Sequence, residues 1–232
     1  MTTSTRFLLT VLFASLTSSS AFALSALDAI STKDQGSALR AALTQGAKAA
    51  VSKLGVTDGF LGNPEVRIPL PGKLQKADKL LRMLGMGQKA DDLVTSMNRA
   101  AEAAVPEAKT LLVDSVKQMS VTDVASILTG GPDAATQYFK RTTSTKLTER
   151  FVPIVRKTTA KTDLAQRYNE LGSQLAQYKL IDSKDASIEN YVTQKALDGL
   201  FVMMAKEEAS IRANPLGQAS GVLQKVFGAL GH

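Results

Sequence analysis

Apolar residues recur along this chain at steps of three and four, the spacing that places them on one side of a helix. In STKDQGSALRAALTQGAKAAVSKLG, Leu39, Leu43, Ala47, Ala50 and Leu54 form such a stripe. Ser31 and Asp34 lie three apart, as in a capping box that uses Asp, and Gly55 suits a left-handed stop. GKLQKADKLLRMLG repeats the pattern through Leu74, Ala77, Leu81 and Leu84 and ends at Gly85. QKADDLVTSMNRAAEAAV follows with Ala90, Leu93, Met97, Ala101 and Ala104. Pro106 suits the first position of the next helix, with Glu107 favourable beside its positive end. That helix carries Ala108, Leu112, Val116 and Met119 on one side, and Ser120 with Asp123 opens another short one, VTDVASIL.

Further along, TDLAQRYNELGSQLAQYKL spaces Leu164, Tyr168, Leu171, Leu175 and Tyr178 by fours and threes, a narrow seam for bundle packing. SIENYVTQKALDGLFVMMAKEEASIRANP predicts a long helix stopped by Asn214 and Pro215. Its centre, LFVMMA, is apolar all round and marks the most buried helix. A last helix uses Ala219, Val222, Leu223, Val226, Phe227 and Leu230. One stretch resists. In NPEVRIPLPGK, Val66, Ile68 and Leu70 alternate, but Pro64, Pro69 and Pro71 interrupt them, and proline cannot donate to a sheet ladder. An extended connector near residues 63–72, at most an edge strand, is expected there. No repeat, low-complexity tract or domain linker stands out. The pattern predicts an all-α, single-domain, multi-helix bundle over residues 24–232.

The start of the chain reads differently. A short polar stretch with Arg6 precedes the apolar run Phe7 to Leu16, and small residues at Ala21 and Ala23 flank Phe22. This is the layout of a secretory signal peptide, residues 1–23, cut after Ala23. The run is shorter than the roughly 20 residues that span a bilayer, and no later stretch reaches that length. A protein of the periplasm or outer envelope is expected.

Composition narrows the chemistry. The chain has no cysteine, so an exported product would have no disulfides and its core must supply its stability. The acylated cysteine of a lipoprotein is missing as well. The single histidine is His232, the last residue, and reads as an incidental tail. Without His and Cys there is no Ser-His-Asp triad, no Cys-His pair and no zinc site of the usual kind. No cofactor, metal site or catalytic residue is expected. An enzyme would have to work with carboxylates, Lys or Tyr, in a cleft where Tyr138, Asp133 and basic groups converge.

The stretch most like a site is TGGPDAATQYFKRTTSTKL, residues 129–147. A phosphate loop needs a glycine-rich turn after a strand, feeding a helix whose free N–H groups face the anion. Here the preceding segment is helical, and PDAA stands where a lysine and a hydroxyl should follow. The simpler reading is a helix–helix corner: Gly130 or Gly131 as a left-handed stop, Pro132 opening the next helix, and Asp133 complementing its dipole. In the run 142–145, Ser144 or Thr145 reads as a cap for a further helix, with Glu149 in its first turn.

Charge is distributed unevenly. Between 140 and 161 lie Lys140, Arg141, Lys146, Arg150, Arg156, Lys157 and Lys161, against Glu149 alone. The rest of the chain after residue 23 is balanced, so the positive excess sits in this segment. On a helix over 145–161, Lys146, Arg150, Lys157 and Lys161 fall within about 60° of one another. Leu147, Phe151, Ile154 and Val155 form the neighbouring stripe, and Pro153 predicts a kink or a new start. One reading is a solvated face that aids solubility. The other is a docking face for an anionic partner, an anionic lipid or an acidic envelope protein. Nucleic acid is disfavoured by export and by sparse aromatics, Tyr138, Phe139 and Phe151. Met83, Met97, Met119, Met203 and Met204 read as core filler or as the lining of a pocket for an apolar ligand or lipid. The adjacent pairs Asp91–Asp92 and Glu207–Glu208 diverge on a helix and read as solvated faces.

Several stretches together, TDGFLGNPEVRIPLPGKLQKADKLLRMLG, MNRAAEAAVPEAK, LTGGPDAATQYFKRTTSTKL, ENYVTQKALDGLF and EEASIRANP, are similar to the bacterial envelope family called domain of unknown function 4197. The resemblance spans about residues 33–229. Members of that family typically carry export signals, some of them lipoprotein signals, from which this cysteine-free chain departs. The resemblance implies an exported, mostly helical bacterial protein. It implies no activity and assigns no functional residue. The sequence is thus read as a non-catalytic interaction module docking through segment 140–161, with a carrier of an apolar ligand as the alternative.

Overall fold

A computed structural model of the chain describes residues 31–85, 87–177, 179 and 186–213. The expected signal peptide, the helix expected over 219–230 and His232 lie outside these residues. The described residues form eight α-helices and no strand. They are α1 (Thr32–Leu54), α2 (Gly72–Met83), α3 (Gly87–Ala104), α4 (Ala108–Lys117), α5 (Val121–Thr129), α6 (Ala134–Thr159), α7 (Asp163–Gln177) and α8 (Ile188–Ala213), with a 3₁₀ turn at Val105–Glu107. No described helix is long and apolar enough to cross a membrane.

Local signals set several of the boundaries. Ser31 accepts from the Asp34 N–H at 3.1 Å and starts α1. Ser120 and Asp123 form a reciprocal box that starts α5, each accepting from the other's backbone N–H. Two expected stops differ. Gly55 sits at φ −83° and Gly130 at φ −82°, so neither takes the left-handed conformation, which among the described residues falls to Asp58, Gly85 and Lys179.

α6 is the central element. It packs against α3, α4, α5 and α8, and α8 in turn packs against α1 and α3. Besides Thr136 and Tyr138, its buried positions, Ala135, Phe139, Thr143, Leu147, Phe151, Val155 and Thr159, are four apart throughout. A four-residue step exceeds the 3.6-residue turn by about 40°, so this stripe winds around the helix and meets different neighbours in succession. The two threonines in the stripe donate to the carbonyls four residues back, Phe139 and Val155, at 2.6 and 3.0 Å. α6 runs through Pro153 to Thr159, so no new helix starts there. It also begins ten residues before the predicted cap. Ser144 lies inside it and donates to the Lys140 carbonyl at 2.6 Å.

The proline-rich connector opens with a turn, in which the Arg67 N–H donates to the Asn63 carbonyl at 2.8 Å, and residues 67–71 then run without helix or strand, held by side chains. Asn98 of α3 accepts from the Ile68 N–H at 2.8 Å and donates to the Ile68 carbonyl at 2.9 Å, pairing both backbone groups. One turn on, the buried Glu102 accepts from the N–H groups of Phe60 and Leu61 at 3.0 and 3.1 Å and from Arg99 at 2.6 Å. The Tyr191 hydroxyl donates to the Pro69 carbonyl at 3.0 Å. Gly199 of α8 lets the connector seat closely: a Cβ there would lie 2.7 Å from a Phe60 ring carbon.

Candidate functional site

At the 130–133 corner, α6 starts with backbone N–H groups that have no partner in their own helix, the arrangement that could hold a phosphate. Here the anion is internal. Glu208, buried on α8, accepts from the N–H groups of Ala135 and Thr136 at 3.0 and 2.9 Å and from the Thr136 hydroxyl at 2.9 Å. Arg212, one turn on, donates to the same carboxylate at 2.9 Å and to the Ile127 carbonyl of α5 at 3.1 Å. One buried ion pair thus closes the α5–α6 corner onto α8. Asp133 plays no part in this network; it accepts from Gln137 at 2.7 Å. The segment 129–147 is a structural joint. Glu208, expected on a solvated face, is its anchor.

The seven cations of segment 140–161 divide. Lys140 stands over the Phe201 ring, 5.7 Å from its centroid. Arg141 stands over Tyr138 and reaches Asp123 at 3.3 Å. Asp123 is held below the usual carboxylate range, first by the Ser120 hydroxyl, then by the Ser120 N–H, with Arg141 adding a smaller effect. Lys146, Arg150, Arg156, Lys157 and Lys161 are exposed, and among the described residues none has a carboxylate partner. Lys146, Arg150 and Lys157 fall within an arc of about 40° on α6, with Arg156 about 100° round. Lys161 lies just past the helix end and flanks a shallow groove of about 570 Å³ with Lys157, Pro153, Ile154 and Ala103.

The other candidates do not assemble. The Tyr138 hydroxyl is buried and donates to the Ser115 carbonyl at 2.7 Å, away from Asp133. Among the described residues there is no cluster of three or more His, Cys, Asp or Glu able to hold a metal. Met97, Met119, Met203 and Met204 are core residues, whereas Met83 is exposed. Between α1, α6 and α8 the gap beside Phe139 and Met204 holds about 20 Å³, room for about one water.

One surface differs from the expectation of the sequence pattern. α2 packs chiefly on α3, and its end exposes Leu80 (54%), Met83 (70%) and Leu84 (65%). Spacing alone places Leu84 in the packed stripe. The signal present in the sequence is the density of LLRML beside Lys76 and Lys79, too much apolar surface for a helix with one neighbour.

Fold and surface together define an all-helical domain with an apolar core, a buried Glu208–Arg212 pair and an open cationic face. The chain belongs to the family described as protein of unknown function (DUF4197), whose profile matches residues 29–228. No curated protein and no solved structure matches it.

Proposed function

We propose that this is a non-catalytic binding module of the bacterial periplasm or outer envelope that docks an anionic partner through the free cations of α6. The observation that carries the reading is the contrast within one segment: five exposed cations lack a carboxylate although acidic residues elsewhere are engaged by Arg82, Arg99 and Lys206. Unpaired like charges repel one another, so a fold that gathers them favours an external counter-charge. A ligand carried beside Phe139 and Met204 fits less well, because that gap is water-sized. The test is salt. The charges act over about 30 Å at 0.01 M and about 3 Å at 1 M ionic strength. Binding to immobilised polyglutamate, and to phosphatidylglycerol vesicles, should fall steeply across that range. The variant K146E/R150E/K157E/K161E should lose low-salt binding to both; binding equal to that of the unaltered chain would overturn the proposal.

A further inference from the structure

The apolar end of α2 and the basic end of α6 lie toward the same end of the molecule. α3 runs antiparallel to α6: Ser96 donates to the Thr158 carbonyl at 3.3 Å, and nearer the start of α3, Lys89 meets Asp163 at 3.4 Å. α3 begins at Gly87, two residues or about 3 Å of helix rise before Lys89. The α2–α3 corner therefore lies at the end of the molecule that carries Lys157 and Lys161.

This corner is built as a fixed projection. Gly85 takes φ +74°, the left-handed conformation that permits the reversal. Arg82 bonds Asp78 at 2.9 Å within α2 and grips both carboxylate oxygens of Asp91 on α3, at 2.7 and 3.3 Å. Those bonds hold the Asp91 carboxyl below its ordinary range. With Arg82 drawn toward α3, Leu80, Met83 and Leu84 lie at i, i+3 and i+4 on the other side of the helix, within about 100° of arc. Each is more than half exposed. Lys76 and Lys79 on the same helix are exposed and have no carboxylate partner among the described residues.

A cluster of large apolar side chains with free cations on the same helix is the signature of a surface that enters a lipid interface: the cations meet headgroups and the apolar residues reach the acyl boundary. A soluble acidic partner would satisfy the lysines and leave three apolar side chains in water. We infer that the α2–α3 corner is a membrane wedge, which inserts Leu80, Met83 and Leu84 into an anionic bilayer while Lys76, Lys79, Lys157 and Lys161 engage the headgroups. The inference rests on the cationic docking reading and narrows its partner to a bilayer.

The chain contains no tryptophan, so Leu84→Trp supplies a single reporter. With phosphatidylglycerol vesicles the indole emission should shift to the blue and be quenched by brominated acyl chains; with polyglutamate it should not shift. The variant L80S/M83S/L84S alters only exposed side chains. It should keep low-salt vesicle binding but lose at least tenfold of the binding that survives high salt. Unshifted indole emission from L84W on vesicles that sediment the protein, or salt-resistant binding unchanged in the serine variant, overturns the wedge and leaves the cationic docking standing. Loss of low-salt binding to polyglutamate and vesicles alike in the charge-reversed variant supports the docking reading separately. Polyglutamate binding with no vesicle binding by the unaltered chain overturns the wedge in favour of an acidic protein.

Discussion

The two halves of α6 handle charge in opposite ways. Up to Arg141 each charged group of α6 meets a partner in the fold: the helix start is held by Glu208, Arg141 reaches Asp123, and Lys140 lies over Phe201. From Lys146 onward, Lys146, Arg150, Arg156 and Lys157, with Lys161 just past the helix end, are exposed without carboxylate partners among the described residues. The two halves share one backbone, so composition alone does not explain the difference. The neighbours do. The first half packs beside α5 and α8, which bring Asp123 and Glu208. The free cations follow where α6 runs alongside α3, whose carboxylates Asp91 and Glu102 are held by Arg82 and Arg99. Charge closed inside a fold supports stability, and charge left open is available to a partner.

That contrast can be broken most severely at the closed end. Glu208→Ala leaves Arg212 buried without its partner and two N–H groups unpaired, and should cost about 3–5 kcal/mol in chemical denaturation. Gly199→Ala, which drives a Cβ against Phe60, should cost about 1–3 kcal/mol in the same measurement. Asp123→Ala removes the α5 box and the Arg141 contact and should cost about 1 kcal/mol. Reversing the open-end cations, by contrast, should shift stability by no more than about 0.5 kcal/mol while anion binding is lost. The smallest expected effect is on pH dependence. Asp91 and Asp123 have depressed folded-state pKa values, so their contribution is complete above the ordinary carboxylate value near 4 and is lost as pH falls through the lower folded values. Thermal melts from pH 6 to pH 3 should therefore show a shallower acid limb in D91N/D123N than in the unaltered chain.

Much of the helical framework was legible because periodic stripes and caps are local. Ser120 with Asp123 forms a full box within three residues, whereas at Ser31 and Asp34 only the serine caps the helix and the Asp34 carboxylate accepts from the Ser31 hydroxyl. The central helix was harder to bound. Its buried residues step by four, so no single face is apolar over its whole length, and its internal hydroxyls imitate caps while bonding back to their own helix. The sealed corner was not legible at all. Glu208 reaches Thr136 from 72 residues away, and a Glu–Glu pair on a helix gives no sign of which member turns inward. At α2 the error ran the other way: Leu84 fits a packed stripe by spacing, but spacing does not say whether a neighbouring helix is there to cover it.

The amino-acid order by itself determined that the chain is helical, that a proline-rich connector interrupts the helices near 63–72, and where its positive excess is concentrated, because propensity, proline geometry and charge are properties of short segments. Only the tertiary structure decided which charges are closed and which are free. Neutralisation and burial depend on what stands across a gap of a few ångströms, and those neighbours come from distant parts of the chain.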